Sequence, residues 1–397
     1  MNKNLIYIIS TNRADFGLLK NLIVELRNNK KFKTKFIVSG NHLQNKISDS
    51  INEINNLKLK IDYKVTIKEY RHSKSRTELN LIKYINSFSI FFRKNRPNLL
   101  IILGDRFESL GICLSATYNN IPIAHISGGE TTLGSHDEFH RHCISKLSLL
   151  HFVANSIYKK RVVQLGEHPN RVFNVGSLFL DSLSNLKFTP KIILQKKYKF
   201  SFDKRNILVT FHPVTNEPNS SKKYISEILN SFEKIKDVFF IFTYPNSDLG
   251  SQEIISKIKM FVKKNTKKST LINSFGHKDY LSTLKYVDAV IGNSSSGLTE
   301  VPFFKIPTIN LGDRQKGRYL EKTIINCEIS ERSIINNINK ILKNSKQNIN
   351  LKFKDNSKNS VSSKIIKILE KTNIEANYKK QFYDLKKKKK LLPVILS

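Results

Sequence analysis

The stretch Asp288-Ala-Val-Ile-Gly-Asn-Ser-Ser-Ser-Gly-Leu-Thr-Glu300 passes from an apolar run through a turn of serine and glycine into residues of helical character. A strand, a tight turn and a helix in this order form the repeating unit of parallel α/β domains. The first amide groups of such a helix have no partner within it, and the helix dipole favours an anion beside them. The stretch therefore predicts an α/β fold with an anion-binding turn; the alternative is a run of serines that only caps a buried helix.

The side chains of this turn suit a nucleoside diphosphate. Hydroxyl donors come from Ser294, Ser295 and Ser296, and Gly297 lets a phosphate approach the backbone. Glu300 follows about one helical turn later, where its carboxylate can accept hydrogen bonds from ribose hydroxyls. We therefore expect these residues to bind the nucleotide part of a ligand.

Short apolar runs rich in β-branched residues alternate along the chain with longer stretches of helical period, which is typical of parallel βαβ units. A chain of 397 residues suits two domains of about 180 residues each. We predict two Rossmann-like, doubly wound domains, 1–185 and 186–375, a polar hinge at 183–203 and a basic tail at 376–397. The predicted strands are 5–9, 36–38, 99–103, 121–126, 149–153 and 172–175 in the first half, and 207–211, 238–242, 269–272, 289–291 and 308–310 in the second. Their carboxyl ends should open on a common cleft, where ligands bind.

The charge of the chain is strongly basic, with 68 Lys and Arg against 32 Asp and Glu and a formal net charge of +36. Such a charge suits nucleic acid, an anionic membrane surface or a phosphorylated substrate. Lysines and asparagines are spread throughout the chain, and no nucleic-acid-binding motif accompanies them. We therefore expect neither nucleic acid nor a membrane as a partner, and we expect the lysine run 386–390 to be solvated.

The cysteines indicate a reducing compartment. Cys113, Cys143 and Cys327 are odd in number and far apart, which argues against a disulfide framework. The apolar run at the N-terminus is too short for a signal peptide, and no segment approaches the ~20 apolar residues of a membrane span. We expect a cytoplasmic protein.

Charged and polar residues follow the predicted strand ends. A carboxylate or guanidinium beside a buried strand end costs desolvation free energy unless a ligand or an ion pair uses it. The simpler interpretation is a set of structural ion pairs, such as Asp105 with Arg106 or Arg13. The strand-end residues are Arg13, His42, Asp105, Arg106, His125, Glu130, His212, Arg314 and Arg318.

Several of these residues belong to short motifs that follow one another along the chain. The segments are Arg13-Ala-Asp15, Gly104-Asp-Arg106, His125-Ile-Ser-Gly-Gly-Glu130, Arg141-His-Cys-Ile-Ser-Lys146, His212-Pro-Val-Thr215, Asn293-Ser-Ser-Ser-Gly297 and Gly312-Asp-Arg-Gln-Lys-Gly-Arg318. Over roughly residues 5–320 the chain resembles the hydrolysing UDP-N-acetylglucosamine 2-epimerases, enzymes of sialic-acid and legionaminic-acid precursor synthesis. The resemblance implies the GT-B arrangement of two Rossmann-like domains facing a cleft, no cofactor, a nucleotide-sugar substrate and a homo-oligomer.

The resemblance also implies which residues occupy the site. These are Arg13, His42, Asp105, Arg106, His125, Asp137, His212, Ser294, Ser295, Glu300 and Arg314. One position departs from the pattern, because many relatives have glutamate where this chain has Ser127. Either Glu130, Asp137 or Glu138 replaces that carboxylate, or the division between acid and base differs.

The implied reaction converts UDP-N-acetylglucosamine to free N-acetylmannosamine and UDP through a glycal that is then hydrated. The C2 proton of the sugar becomes acidic only as the C1–O bond breaks, so a positioned base and an electrostatic sink for the diphosphate are both needed. We expect the base and the acid among Asp105, Glu130 and Asp137, with His212 for proton transfer or diphosphate contact. Guanidinium groups match phosphate geometry, so the expected diphosphate ligands are Arg13, Arg314 and Arg318.

Other functions stay open at this level. They are the same reaction on UDP- or GDP-diacetylbacillosamine, a non-hydrolysing epimerase, a GT-B glycosyltransferase, which would also need an acceptor site, and a basic binding protein on an inactive scaffold. A metal site is not expected. His136 and His140 are spaced to share a helix face, but Glu138 stands one position late for the HExxH pattern and no third ligand is evident.

Overall fold

The fold is described here from a computed structural model. It describes residues 3–43, 50–70, 77–132, 136–184, 186–214, 217, 220–245, 250–344, 360–374 and 379–385. The predicted pair of parallel α/β domains is confirmed. Thr215 and the lysine run 386–390 lie outside the described residues.

The first sheet has seven strands over the described residues, in the order β3-β2-β1-β4-β5-β6-β7, and all neighbouring pairs are parallel. The strands are β1 (Asn4–Ser10), β2 (Phe32–Ser39), β3 (Tyr63–Val65), β4 (Leu99–Leu103), β5 (Ile123–Ile126), β6 (Leu150–Val153) and β7 (Val172–Asn174). Its helices are α1 (Arg13–Asn28), α2 (Ser50–Asn56), α3 (Thr77–Lys94), α4 (Phe107–Tyr118), α5 (Asp137–Leu147), α6 (Ser156–Gln164) and α7 (Phe179–Ser184). The strand order reverses between β1 and β4, and this switch point opens a crevice at the carboxyl ends of the two strands.

The second sheet repeats this plan. Over the described part of the chain it has six parallel strands in the order β10-β9-β8-β11-β12-β13, with the reversal between β8 and β11. The strands are β8 (Asn206–Thr210), β9 (Phe239–Thr243), β10 (Ser269–Ile272), β11 (Ala289–Gly292), β12 (Thr308–Leu311) and β13 (Ile324–Cys327). The helices from here on are α8 (Lys191–Tyr198), α9 (Ser221–Lys234), α10 (Ser251–Lys264), α11 (Gly276–Thr283), α12 (Ser296–Thr299), α13 (Glu331–Asn344) and α14 (Val361–Lys371).

Both faces of each sheet are covered by helices, which explains why the strands are apolar throughout. In β1, Ile6 and Ile8 pack into one buried cluster, whereas Tyr7 and Ile9 pack into another on the opposite face. Successive strand residues point to opposite faces, so a strand buried on both sides needs apolar residues at every position. This double burial fixes the register that brings the strand ends together.

The last described helix, α14, returns to the first domain. Ile365 and Leu369 of α14 join the buried cluster that contains β1 and α1. Its N-terminus is held by the carboxylate of Asp181, which accepts from the backbone amides of Val361 (2.8 Å) and Ser362 (2.7 Å). A carboxylate at this end also interacts favourably with the helix dipole.

Three elements differ from the sequence prediction. The edge strands β3 and β13 are absent from the predicted set, because each is short and only partly buried. The stretch expected to be a polar hinge contains α8, whose Leu194 is buried with the second-domain core. A single buried leucine among lysines gives little helical pattern, which is why composition suggested a linker.

Candidate active site

The two switch points carry the residues that the sequence singles out. In the first domain Arg13 follows β1 and Asp105 follows β4. In the second domain His212 follows β8 and Ser294 follows β11. Each pair therefore flanks the crevice where the strand order reverses, which is where open α/β sheets bind ligands.

The turn after β1 presents one cation and one carboxylate. Asn12 caps α1 by accepting from the amide of Asp15 at 3.0 Å, and its own amide donates to Asp15 Oδ2 at 2.7 Å. Burial raises the pKa of Asp15 to about 6, although Arg106 counteracts part of this effect. Arg13 reaches the second domain, since a Cβ added to Gly276 at the start of α11 would lie 2.5 Å from Arg13 Nη2.

A buried arginine organises the turn after β4. Arg141, on α5, is 1% exposed, and its Nη2 donates to Asp105 Oδ2 and, at 2.9 Å, to Thr132 Oγ1. Its Nη1 donates to the backbone oxygen of Glu130 (3.1 Å) and to Glu138 Oε2 (3.2 Å). Burial alone would lower the pKa of Arg141, but the charges of Asp105 and Glu130 outweigh it and raise the pKa. One guanidinium thus holds three parts of the predicted site together.

Arg106 is surrounded by carboxylates. It pairs with the 1%-exposed Glu108, to which its Nε and Nη2 donate at 3.0 to 3.2 Å. The charge of Glu108 raises the pKa of Arg106, and Asp15 and Asp137 add to the effect. Acidic groups are scarce in this chain, yet several of them gather at the carboxyl edge of the first sheet. That edge is consequently suited to a ligand that develops positive charge.

Two of the predicted histidines are buried and neutral. His42 Nε2 lies 2.8 Å from Ser10 Oγ, and burial lowers the pKa of His42 to about 4. His125 lies on β5 with Nε2 2.7 Å from the backbone oxygen of Gly104 and Nδ1 3.1 Å from Ser145 Oγ. Burial lowers the pKa of His125 to about 3. His125 therefore braces the turn that precedes Asp105.

Asn293 ties together the turns of the second domain. Its side-chain amide donates to the backbone oxygen of His212 (2.8 Å) and accepts from the His212 amide (2.7 Å). Its backbone oxygen accepts from Arg314 Nη1 (3.1 Å) and Gln315 Nε2 (3.0 Å). The preceding residue has to be glycine, because a Cβ on Gly292 would lie 1.8 Å from the Thr210 oxygen. His212 and Arg314 thereby share one frame with the serine turn.

The serine turn leads into the short helix α12. Ser294 and Ser295 precede this helix, and Gly297 packs closely against Thr308. Ser296 Oγ donates to Glu300 Oε2 at 2.7 Å and lies 2.6 Å from the hydroxyl of Tyr280. Burial raises the pKa of Glu300. The hydroxyl of Ser296 and the carboxylate of Glu300 thus bind each other.

The two domains touch through the loop after β5 and the loop after β12. Arg318 Nη1 donates to Glu130 Oε2 at 3.1 Å, and its Nη2 donates to Thr132 Oγ1 at 3.0 Å. The backbone oxygen of Gly317 accepts from Thr131 Oγ1 and, at 3.1 Å, from Arg161 Nη2. Glu130 and Arg318, which the sequence assigns to proton transfer and to diphosphate binding, are therefore bound to each other.

The histidines at the start of α5 pair with neighbouring carboxylates. His140 Nδ1 lies 3.7 Å from Asp137 Oδ1, and His142 Nε2 lies 3.0 Å from Glu138 Oε1. In the part of the chain that the structure describes, no group of three or more His, Cys, Asp or Glu side chains is arranged to hold a metal ion. None of the described helices is long and apolar enough to cross a membrane.

Several residues of the site are absent from the sequence prediction. Arg141, Glu108, Asn293, Gln315 and Thr132 each contact a predicted site residue. Arg141, Asn293 and Gln315 lie inside the motifs quoted above, and Thr132 and Glu108 each follow one by two residues. The motifs could therefore have indicated all five.

The fold and this site define a two-domain enzyme of the GT-B architecture. The family described as UDP-N-acetylglucosamine 2-epimerase matches residues 24–370, and the chain belongs to that family. A GDP/UDP-N,N'-diacetylbacillosamine 2-epimerase (hydrolyzing) of Campylobacter jejuni is 39% identical, over 83% of this chain and 86% of the relative. The polysialic acid biosynthesis protein P7 of Escherichia coli is 38% identical, over 85% of each chain.

A solved structure supports the fold. It is the UDP-GlcNAc 2-epimerase from Neisseria meningitidis bound to UDP-GlcNAc, with a TM-score of 0.77 and 18% identity. The similarity covers 93% of this chain and 100% of that chain. The GT-B arrangement that the sequence resemblance implies is therefore confirmed.

Proposed function

We propose that this protein is a hydrolysing 2-epimerase that converts UDP-N-acetylglucosamine to free N-acetylmannosamine and UDP. The observation that carries the proposal is the contrast between the charged groups of the two domains. The carboxyl edge of the first sheet gathers carboxylates around Arg106 and Arg141, while the second domain presents a serine turn beside Arg314. Loss of a diphosphate from C1 creates positive character on the sugar and negative charge on the nucleotide, and the two domains match these charges.

The proposed reaction has two steps. The C1–O bond breaks first, and the diphosphate leaves with the electron pair. A carboxylate then removes the C2 proton, which gives a glycal with a double bond between C1 and C2. Water adds to this double bond, with a proton delivered to the opposite face of C2 and hydroxyl to C1. The released sugar is the 2-epimer.

The carboxylates near the sugar side differ in how exposed they are to solvent. Glu138 is 14% exposed and binds Arg141 and His142, and Glu130 is 15% exposed and binds Arg318. Asp137, at the start of α5, is 40% exposed, and its Oδ1 lies 3.7 Å from His140 Nδ1. We therefore assign the second acid/base position to Asp137, beside Asp105, and this assignment supplies the carboxylate that Ser127 lacks.

The nucleotide is assigned to the second domain. The serine turn and Arg314 bind the diphosphate, with Arg13 reaching across from the first domain, because guanidinium groups and hydroxyl donors stabilise the departing charge. Glu300 binds the ribose after its present partner, Ser296, turns towards phosphate. His212, placed through its backbone by Asn293, contacts the diphosphate or transfers a proton.

A second substrate is favoured by one observation. The relative that is 39% identical is named as an epimerase of GDP/UDP-N,N'-diacetylbacillosamine. The test is to incubate the purified protein, without any acceptor, with UDP-N-acetylglucosamine, UDP-diacetylbacillosamine and GDP-diacetylbacillosamine in parallel. Release of nucleoside diphosphate together with free sugar supports the proposal, and the fastest of the three identifies the substrate. Consumption only after an acceptor is added would show a glycosyltransferase instead.

A further inference from the structure

We propose that Arg318 is a positioning residue: its bond to Glu130 closes the cleft and couples the nucleotide-binding turn to the carboxylates on the sugar side. This role rests on the proposed function and differs from the roles that the sequence assigns to these two residues. Arg318 is 7% exposed and Glu130 is 15% exposed, although both come from loops at the domain surfaces. Removing one partner of a charge pair so shielded from water costs more than removing one partner of an exposed pair, because the remaining charge is left unpaired.

The loop that carries Arg318 is fixed at both ends. At its start, Arg314 and Gln315 donate to the backbone oxygen of Asn293 in the nucleotide-binding turn. At its end, Arg318 donates to Glu130 and Thr132 of the first domain. A phosphate that binds Arg314 therefore acts on the same short loop that holds Glu130.

The contact continues into the first domain. Thr132 Oγ1 accepts from Arg318 Nη2 at 3.0 Å and from Arg141 Nη2 at 2.9 Å, and Arg141 Nη2 also donates to Asp105. The backbone oxygen of Glu130 is a further acceptor for Arg141. Closure through Arg318 thus fixes residues 130–132, which bind the Arg141 guanidinium that orients Asp105, with no need for Arg318 to touch the substrate.

Contacts beside Arg318 also hold its loop against the first domain. Arg161 donates to the backbone oxygen of Gly317 across the cleft and to Thr131 Oγ1 (3.2 Å) on its own side. The hydroxyl of Thr131 donates to the same backbone oxygen of Gly317. These contacts use backbone atoms of the second domain, so Arg318 is the side chain through which this loop recognises the first domain's Glu130 and Thr132.

The test is a double-mutant cycle of Glu130→Ala and Arg318→Ala, with Glu130→Gln and Lys316→Ala as controls. Lys316 lies on the same loop, is 65% exposed and pairs with Asp313 of that loop, so its removal should change nothing. Glutamine keeps an acceptor for Arg318. Small-angle X-ray scattering of the ligand-free protein measures closure, and this measurement stands whether or not a nucleotide sugar is turned over.

We expect either alanine variant to expand the ligand-free protein and to lower kcat roughly tenfold, with KM within about threefold. The double variant should lose no more than the stronger single variant, and Glu130→Gln should stay within about threefold of wild type. Three results would overturn the proposal. The first is a loss of kcat of about 100-fold or more in Glu130→Gln, which indicates acid/base catalysis. The second is a loss of kcat in the double variant equal to the product of the two single losses. The third is weaker UDP binding by Arg318→Ala with unchanged scattering.

Discussion

Arg141 and Asp105 lie in different βα units of the first domain, yet the guanidinium of the first holds the carboxylate of the second through Nη2. Arg141 is 1% exposed and Asp105 is 25% exposed, so the arginine lies in the protein interior and the carboxylate faces the cleft. A buried arginine is tolerated only where acceptors satisfy its donors. Arg141 thus orients the Asp105 carboxylate from the interior of the protein.

Asp105→Asn should therefore fold normally and lose most turnover. The amide retains an oxygen that accepts from Arg141, but it cannot remove a proton from C2. We expect a fall in kcat of ~100-fold or more, as for loss of a general base. Asp313→Asn, at a 71%-exposed position, is the matched control. Near wild-type turnover of a folded Asp105→Asn protein would remove this residue from the mechanism.

His212→Ala is expected to fold normally for a different reason. Asn293 holds the backbone amide and oxygen of residue 212, and these atoms survive the substitution. Turnover should fall ~100-fold or more if the imidazole transfers a proton. Isothermal titration with UDP separates the two assigned roles, since a diphosphate contact would weaken UDP binding as well. Unchanged kinetics in the folded variant would contradict both roles.

The sequence predicted the fold and the strand ends well. A parallel strand that is buried on both faces of its sheet has apolar residues at every position, so it is visible as a continuous apolar run. It could not show pairing across the domains. Glu130 and Arg318 are separated by nearly half the chain, and nothing local indicates that each is the partner of the other. Arg141 was missed for a related reason, since a charged residue on a helix resembles a solvated one until its burial is known.

Residues 379–385 of the C-terminal segment contact the first domain through Lys380. Lys380 Nζ lies 2.7 Å from the carboxylate of the fully buried Glu167, which also binds Lys146 and His151. Deletion of residues 386–397 should leave stability and turnover unchanged, since it keeps this contact. Lys380→Met should lower the free energy of unfolding by about 2 kcal/mol, as for a lost hydrogen bond to a buried charge. Urea unfolding measures both; a large loss of activity in the folded truncation would show that the tail belongs to the site or to an oligomer contact.

The burial of His42 should make the stability of the protein depend on pH. The pKa of its imidazole is lowered by burial from 6.5 to about 4 in the folded protein. Between these values the unfolded chain binds the proton more strongly, so the free energy of unfolding should fall as the pH is lowered from 6.5 to 4. In His42→Gln that slope should be smaller by about 1.4 kcal/mol per pH unit. Urea unfolding at several pH values measures this, with His136→Gln as an exposed control; equal slopes in wild type and His42→Gln would contradict it.

The fate of the C2 proton tests the proposed reaction itself. A proton taken up by a carboxylate such as Asp105 exchanges with solvent before the opposite face of C2 is protonated. In deuterium oxide, the released sugar should therefore be the 2-epimer with deuterium at C2, and one nucleoside diphosphate should appear for each sugar. Proton NMR of the product, with a coupled assay for the diphosphate, measures both. Free sugar without deuterium at C2 would exclude the elimination step, because direct hydrolysis leaves C2 untouched. Epimerised nucleotide sugar in equilibrium with substrate, without net release of diphosphate, would instead show that diphosphate rather than water adds to the glycal.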